Sequence, residues 1–72
     1  MVATGEVFPF AGRVVDVPAA AAARLVSLFV EAGIESRYDG YAVEFLAGAD
    51  RERVFRLAVA KLRARGYVVL VG

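Results

Sequence analysis

Side chains able to do covalent chemistry are nearly absent from this 72-residue chain. It has no His and no Cys, and its only serines, Ser27 and Ser36, both fall inside periodic stretches. A nucleophilic hydroxyl needs a base beside it, so that route is closed. Zinc and copper sites fail for want of the same ligands. Magnesium or calcium needs converging carboxylates; Glu35 and Glu44 are the one pair the pattern brings together, and an ion pair accounts for them. Lys61 sits where a helix C-terminus favours a cation. Gly48, in Ala47-Gly48-Ala49-Asp50, has neither the spacing nor the Lys of a phosphate loop. The chain is therefore expected not to be an enzyme, and to use no metal and no cofactor.

Binding chemistry is narrowed by charge. The net charge of +1 gives no general pull toward nucleic acid or an anionic membrane. Phe8, Phe10, Tyr41 and Phe45 could imitate the base-stacking aromatics of an RNA-recognition sheet, which makes RNA binding a third reading. Alternation places Tyr41 and Phe45 on the helix-covered side and glutamates on the open side, so no nucleic-acid partner is expected. No apolar run approaches the ~20 residues of a membrane span. The start, Met1-Val2-Ala3-Thr4-Gly5-Glu6, has no basic segment leading into an apolar one, so a signal peptide is not expected and the cytoplasm is the default location. Asn, Gln and Trp are missing too, and eight arginines stand against one lysine. That bias fits a GC-rich bacterial genome and part of the thermophile pattern.

The elements that must hold these residues repeat. A strand, a helix, a glycine and a strand occur, and then occur again. Glu31-Ala32-Gly33-Ile34 and Ala64-Arg65-Gly66-Tyr67 each end a helix at a glycine and restart a strand at once. Strand one covers residues 7–17, its first half made irregular by Pro9 and Gly12, its regular portion at 13–17. Asp16 and Pro18 open helix one, with Pro18 at its first helical position, and Leu25, Leu28, Phe29 and Ala32 form its core stripe. Strands two and three turn at Asp39-Gly40, a two-residue type I′ signal. That turn pairs Tyr38 with Tyr41, Arg37 with Ala42, Ser36 with Val43, Glu35 with Glu44 and Ile34 with Phe45. Ile34, Ser36, Tyr38, Tyr41, Val43 and Phe45 then face the helices, because the opposite choice buries three charges. Asp50 caps helix two, which runs to Arg65 and buries Val54, Phe55, Ala58, Val59 and Leu62; Glu52 and Arg56 make an i, i+4 pair. Strand four spans residues 67–71. The order β-α-β-β-α-β predicts one α+β domain over residues 1–72, with residues 1–5 a loose lead-in: a ferredoxin-like two-layer sandwich with antiparallel sheet order 4-1-3-2.

Hydrophobic residues make up 60% of the chain, more than the usual 45–50% or so, and a domain this small cannot hide them all. Fourteen alanines absorb part of the excess, but Val, Leu, Ile and Phe are plentiful as well. Strand four is apolar on both faces and lies at a sheet edge, which needs a cover. A homodimer is the expected partner, with Val15, Val17, Tyr67, Val69, Leu70 and Val71 as interface candidates on the open face or along the edge.

The run VVDVPAAAAARLVSLFVEAGIESRY at residues 14–38 resembles the ACT domain, where a D-x-P-G turn enters the first helix and an E-A-G-I step leaves it. The stretch RVFRLAVAKLRARGYVVLV at 53–71 is similar to that family's second helix and last strand. The resemblance implies a regulatory module that pairs through its sheets and binds an amino acid or another small effector at the interface. The matching ligand positions are Asp16, Pro18 and Ala19, with Ala19 standing where the family has its turn glycine. An interaction module of this kind, with or without an effector, is the leading expectation; a structural or assembly subunit acting only through protein contacts is the alternative. A second likeness, to acylphosphatases, lies in Gly12-Arg13-Val14 and Asp39-Gly40-Tyr41-Ala42-Val43-Glu44. That family's catalytic asparagine has no counterpart in a chain without Asn, so its activity is excluded.

Overall fold

The computed structural model describes residues 8–72; the expected lead-in at 1–5 and the start of strand one at Val7 lie outside them. The elements are β1 (Phe10–Val15), α1 (Ala19–Glu31), β2 (Glu35–Tyr38), β3 (Val43–Ala47), a 3-10 turn (Ala49–Arg51), α2 (Glu52–Ala64) and β4 (Val68–Val71). All pairings are antiparallel and the sheet order is β2-β3-β1-β4, the ferredoxin-like sandwich read from the sequence. Among the described residues no helix is long and apolar enough to cross a membrane.

Both helices stop by the same device. Gly33 (φ 79°) and Gly66 (φ 92°) take the left-handed conformation that a side chain resists. Each donates its N–H two positions behind the cap, Gly33 to Val30 at 3.0 Å and Gly66 to Arg63 at 3.0 Å. The next residue reaches one further back, Ile34 to Phe29 at 2.8 Å and Tyr67 to Leu62 at 3.1 Å. This double bond pattern reverses the chain at once, so each helix is laid on the sheet strand that follows it.

The core lies between the helices and one sheet face. Phe45 of β3, fully buried, stacks on Phe29 of α1 at 4.5 Å and tilts against Phe55 of α2 at 5.0 Å. Space for its ring comes from Gly12 on β1, where a Cβ would stand 2.7 Å from Phe45 Cζ. Val14, Ile34 and Val43 complete the layer, and among the described residues no charged side chain is buried. On α1 the buried stripe is Ala22, Leu25 and Phe29, leaning toward half-buried Val26. Leu28, expected in that stripe, rolls to the opposite flank and is 56% exposed. On α2, Phe55, Val59 and Leu62 are buried, with Val54 and Ala58 packed against them.

Three local expectations need correction. Pro18 is the N-cap of α1 rather than its first helical residue, its ψ of 156° being extended as a cap requires. Asp50 does not cap α2; the intervening 3-10 turn moves that position to Arg51, and no side chain caps either start. The β2–β3 turn is centred on Gly40-Tyr41, one residue later than expected, with Asp39 N–H donating to the Ala42 carbonyl at 3.1 Å. The observed pairs are Tyr38 with Val43, Arg37 with Glu44, Ser36 with Phe45 and Glu35 with Leu46. A turn centred on Asp39-Gly40 would need two positive φ angles; this one leaves positive φ to Gly40 alone (99°). The shift is two residues in register, so the face assignments of the paired strand residues survive while the Glu35–Glu44 repulsion disappears. Tyr41 leaves the helix side for the loop, 56% exposed, and Ala42 is buried at the sheet end.

Ser36 does face the helices, and its Oγ is buried without a hydrogen-bond partner. An unmet buried hydroxyl is destabilising, so Ser36→Ala should raise unfolding stability by about 1 kcal/mol. Chemical denaturation checks this, and a loss of stability would show that the hydroxyl has a partner.

Candidate functional site

Two features stand apart from the core: the turn after β1 and the sheet face that no helix covers. At Asp16 the backbone enters the left-handed region (φ 58°), uncommon for a residue with a side chain. The alternation of β1 breaks there. Val17, which period-two counting puts on the open face, instead drops into the core at 3% exposure. Its N–H donates to the Tyr41 carbonyl at 2.9 Å, and its carbonyl accepts from the Tyr38 hydroxyl at 2.6 Å. Asp16, Pro18 and Ala19 remain exposed on the outer side of this turn, adjacent in space as in sequence. Glycine takes φ near 58° without the steric cost, so Asp16→Gly should gain about 0.5–1 kcal/mol. Thermal denaturation of Asp16→Gly and Asp16→Ala tests this; Ala should fall below Gly.

The open face reads as rows across the strands. Register sets Arg37, Glu44, Arg13 and Leu70 side by side, one from each strand in sheet order. Glu44 accepts from Arg37 Nε at 3.2 Å and pairs with Arg13 Nε at 3.6 Å. Arg13 Nη2 also reaches Asp39 Oδ2 at 3.4 Å, so the charges neutralise one another along a ladder. Such exposed pairs add about 0–1 kcal/mol each, and their effect is mainly on which surfaces can approach. Beside the ladder lies an apolar corner: Val15 half-buried, Val68 and Leu70 exposed at 57% and 53%.

Asp39 closes the turn at the end of this ladder. Its Oδ1 accepts the N–H of Ala42 at 2.8 Å and of Tyr41 at 2.9 Å. These two bonds, and then the Arg13 charge, hold its carboxyl below the ordinary value of 3.8. A carboxylate depressed on folding stabilises the fold above the unfolded value and loses that contribution as pH falls through the folded one. The denaturation midpoint should therefore drop below pH 3.8. The drop should be smaller in Asp39→Asn, whose amide oxygen accepts the same bonds without titrating.

Of the sequence-derived interface candidates, Val15, Leu70 and Val71 are available on the surface. Val17 and Val69 belong to the protomer's own core, and Tyr67 packs half-buried against it. Val69 alternates with Val68 and Leu70 and lies beneath the helices, so Val68 takes its place among the outward residues. Phe10 and Phe45, two of the aromatics considered for base stacking, likewise pack under the helices; Phe10 meets Phe55 at 5.8 Å. Among the described residues no three acidic side chains converge on a cation site. One contact had no sequence signal: Arg63 Nη2 of α2 donates to the Val69 carbonyl of β4 at 2.9 Å. Compared with known proteins, the chain matches no family model, no curated protein and no solved structure, so the ferredoxin-like fold is what places it.

Proposed function

We propose that this chain is a non-catalytic interaction module that pairs with a second copy through the open face of its sheet. The observation that carries the reading is the apolar corner of Val68 and Leu70, more than half exposed on a face without helices. An antiparallel sheet is stable with one face in water, but that face is then normally polar. Here its charges are the Arg37–Glu44–Arg13 ladder, already paired, and Glu35 in the next row of β2. Pairing of two such faces buries the corner and leaves the ladder at the rim. The lack of His and Cys supports a role in binding rather than turnover.

Under the ACT-like resemblance, the same pairing would bring a small effector such as an amino acid to Asp16, Pro18 and Ala19. The left-handed Asp16 supports that extension, since strained residues gather at ligand sites. The bonds from Val17 to Tyr41 and from Tyr38 to Val17 favour the alternative, a structural subunit whose turn serves only to lock the hairpin.

Light scattering at micromolar concentration tests the pairing: the expected mass is twice the 7.7 kDa protomer, and a stable protomer mass overturns it. A thermal-shift screen against amino acids and nucleotides separates the finer readings, because a ligand bound only to the native state must raise the melting temperature. A rise that Asp16→Gly abolishes supports the effector; no rise at millimolar ligand supports the structural subunit.

A further inference from the structure

The outer edge of β4 and the flank of α2 beside it form a second surface, separate from the open face. Gly72 N–H donates to the Ala11 carbonyl at 3.2 Å, which fixes the phase of the β1–β4 ladder. In an antiparallel pair alternate residues bond inward, so residues 68 and 70 face β1 while the polar groups of Val69 and Val71 point away from the sheet. Of those outward groups, the Val69 carbonyl is held by Arg63 Nη2 at 2.9 Å. Next to this edge a groove of about 260 Å³ runs between strand and helix, lined by Phe55, Arg56, Val59, Ala60, Arg63 and Val71. Its floor is apolar, and among the described residues that line it the charges are the two guanidinium groups. Arg56 is partly committed, bonding Glu52 at 2.9 Å and lying 5.4 Å over the Phe10 ring. Among the described residues Arg63 bonds only the Val69 carbonyl.

We propose that this groove takes an extended segment of another protein, added antiparallel or parallel to β4 and carrying carboxylates on alternate residues. A strand seated there bonds the free N–H groups of Val69 and Val71 and offers its own N–H to the Val69 carbonyl. That donor replaces Arg63, whose guanidinium then turns to a carboxylate of the incoming strand. Arg63 thus guards the edge in the free protein and selects the partner in the complex. A second copy is the wrong occupant, since a two-fold pairing of β4 with itself brings Arg56 and Arg63 toward their own duplicates. Like charges in a closing interface oppose it.

The test uses fluorescence anisotropy with an end-capped eight-residue peptide alternating valine and glutamate. A valine–lysine peptide, and the glutamate peptide N-methylated on every second amide, serve as comparisons. The glutamate peptide should bind at least about tenfold tighter than either, and should weaken as salt shortens the screening length below about 8 Å. Arg63→Glu should reverse the preference toward the lysine peptide, while Arg63→Gln, which keeps a donor for Val69, should lose the preference without reversing it. Circular dichroism confirms that each variant is folded. Binding should persist in Leu70→Lys, which alters only the open face, so this result is independent of the pairing proposed above. Equal binding of the two charged peptides, indifference to N-methylation, or no binding at about 1 mM peptide overturns the proposal.

Discussion

Phe45→Ala is expected to leave the domain largely unfolded under mild conditions. Phe45 touches both helices, stacked on Phe29 at 4.5 Å and against Phe55 at 5.0 Å, with no exposed surface. Removing a buried phenylalanine ring costs about 3–5 kcal/mol, transfer and cavity terms together. A chain of this length has a total stability of roughly 4–11 kcal/mol at the usual 0.05–0.15 kcal/mol per residue. One substitution thus takes away roughly a quarter of that stability at the least. The cavity cannot collapse easily, because the floor beneath the ring is the backbone of Gly12. Phe45→Leu keeps most of the volume and should lose only about 1–1.5 kcal/mol. Urea denaturation of the two variants decides the point. A loss below about 1 kcal/mol for Phe45→Ala would show that the two helices do not share this ring.

That contact also shows where a sequence stops being legible. The glycine-terminated helices were readable because a left-handed cap followed at once by a strand is local information, held within four residues. Face assignment on β2 and β3 was readable because burying Glu35, Arg37 and Glu44 together is too unfavourable. The register was not, since it hangs on Asp39 Oδ1 drawing in the N–H groups of Tyr41 and Ala42. Gly12 looked like a defect in a strand. Its purpose emerges only when register sets it opposite Phe45. Val17 misled for a different reason: counting by twos assumes extended backbone throughout, and the left-handed Asp16 breaks the count just before it.

The functional surfaces divide in the same way. Apolar excess and a two-faced strand four were enough to point at β4, because both are properties of composition and alternation. Which of its residues face outward required the pairing of β4 with β1. The arginines near the end of α2 had a sufficient local explanation in the helix dipole. What the sequence hides is that the Schellman turn at Gly66 folds β4 back along α2, so that Arg63 meets a carbonyl six residues later.

Two neighbouring substitutions on β4 should therefore have opposite consequences. Val69 is 5% exposed and sits in the core; Leu70 is 53% exposed on the open face. Val69→Lys would force an ammonium among Val14 and the helix side chains, and burial of an unpaired charge exceeds what a small domain tolerates. It should unfold the protein, with a loss above about 3 kcal/mol in any variant still measurable. Leu70→Lys changes a surface residue and should move protomer stability by no more than about 0.5 kcal/mol. In a paired open face, however, two lysines approach each other beside Arg13, desolvated and of one sign. Dimer dissociation should then rise by about 100-fold or more, the equivalent of roughly 2.7 kcal/mol. Light scattering and circular dichroism on the two variants separate the outcomes. A folded Leu70→Lys at the 7.7 kDa protomer mass, beside a parent at twice that mass, is the expected result. A folded and stable Val69→Lys would mean that β4 presents its other face to the helices. A Leu70→Lys dimer as tight as the parent would remove the open face from the interface, since no contact across Val68 and Leu70 survives two facing charges.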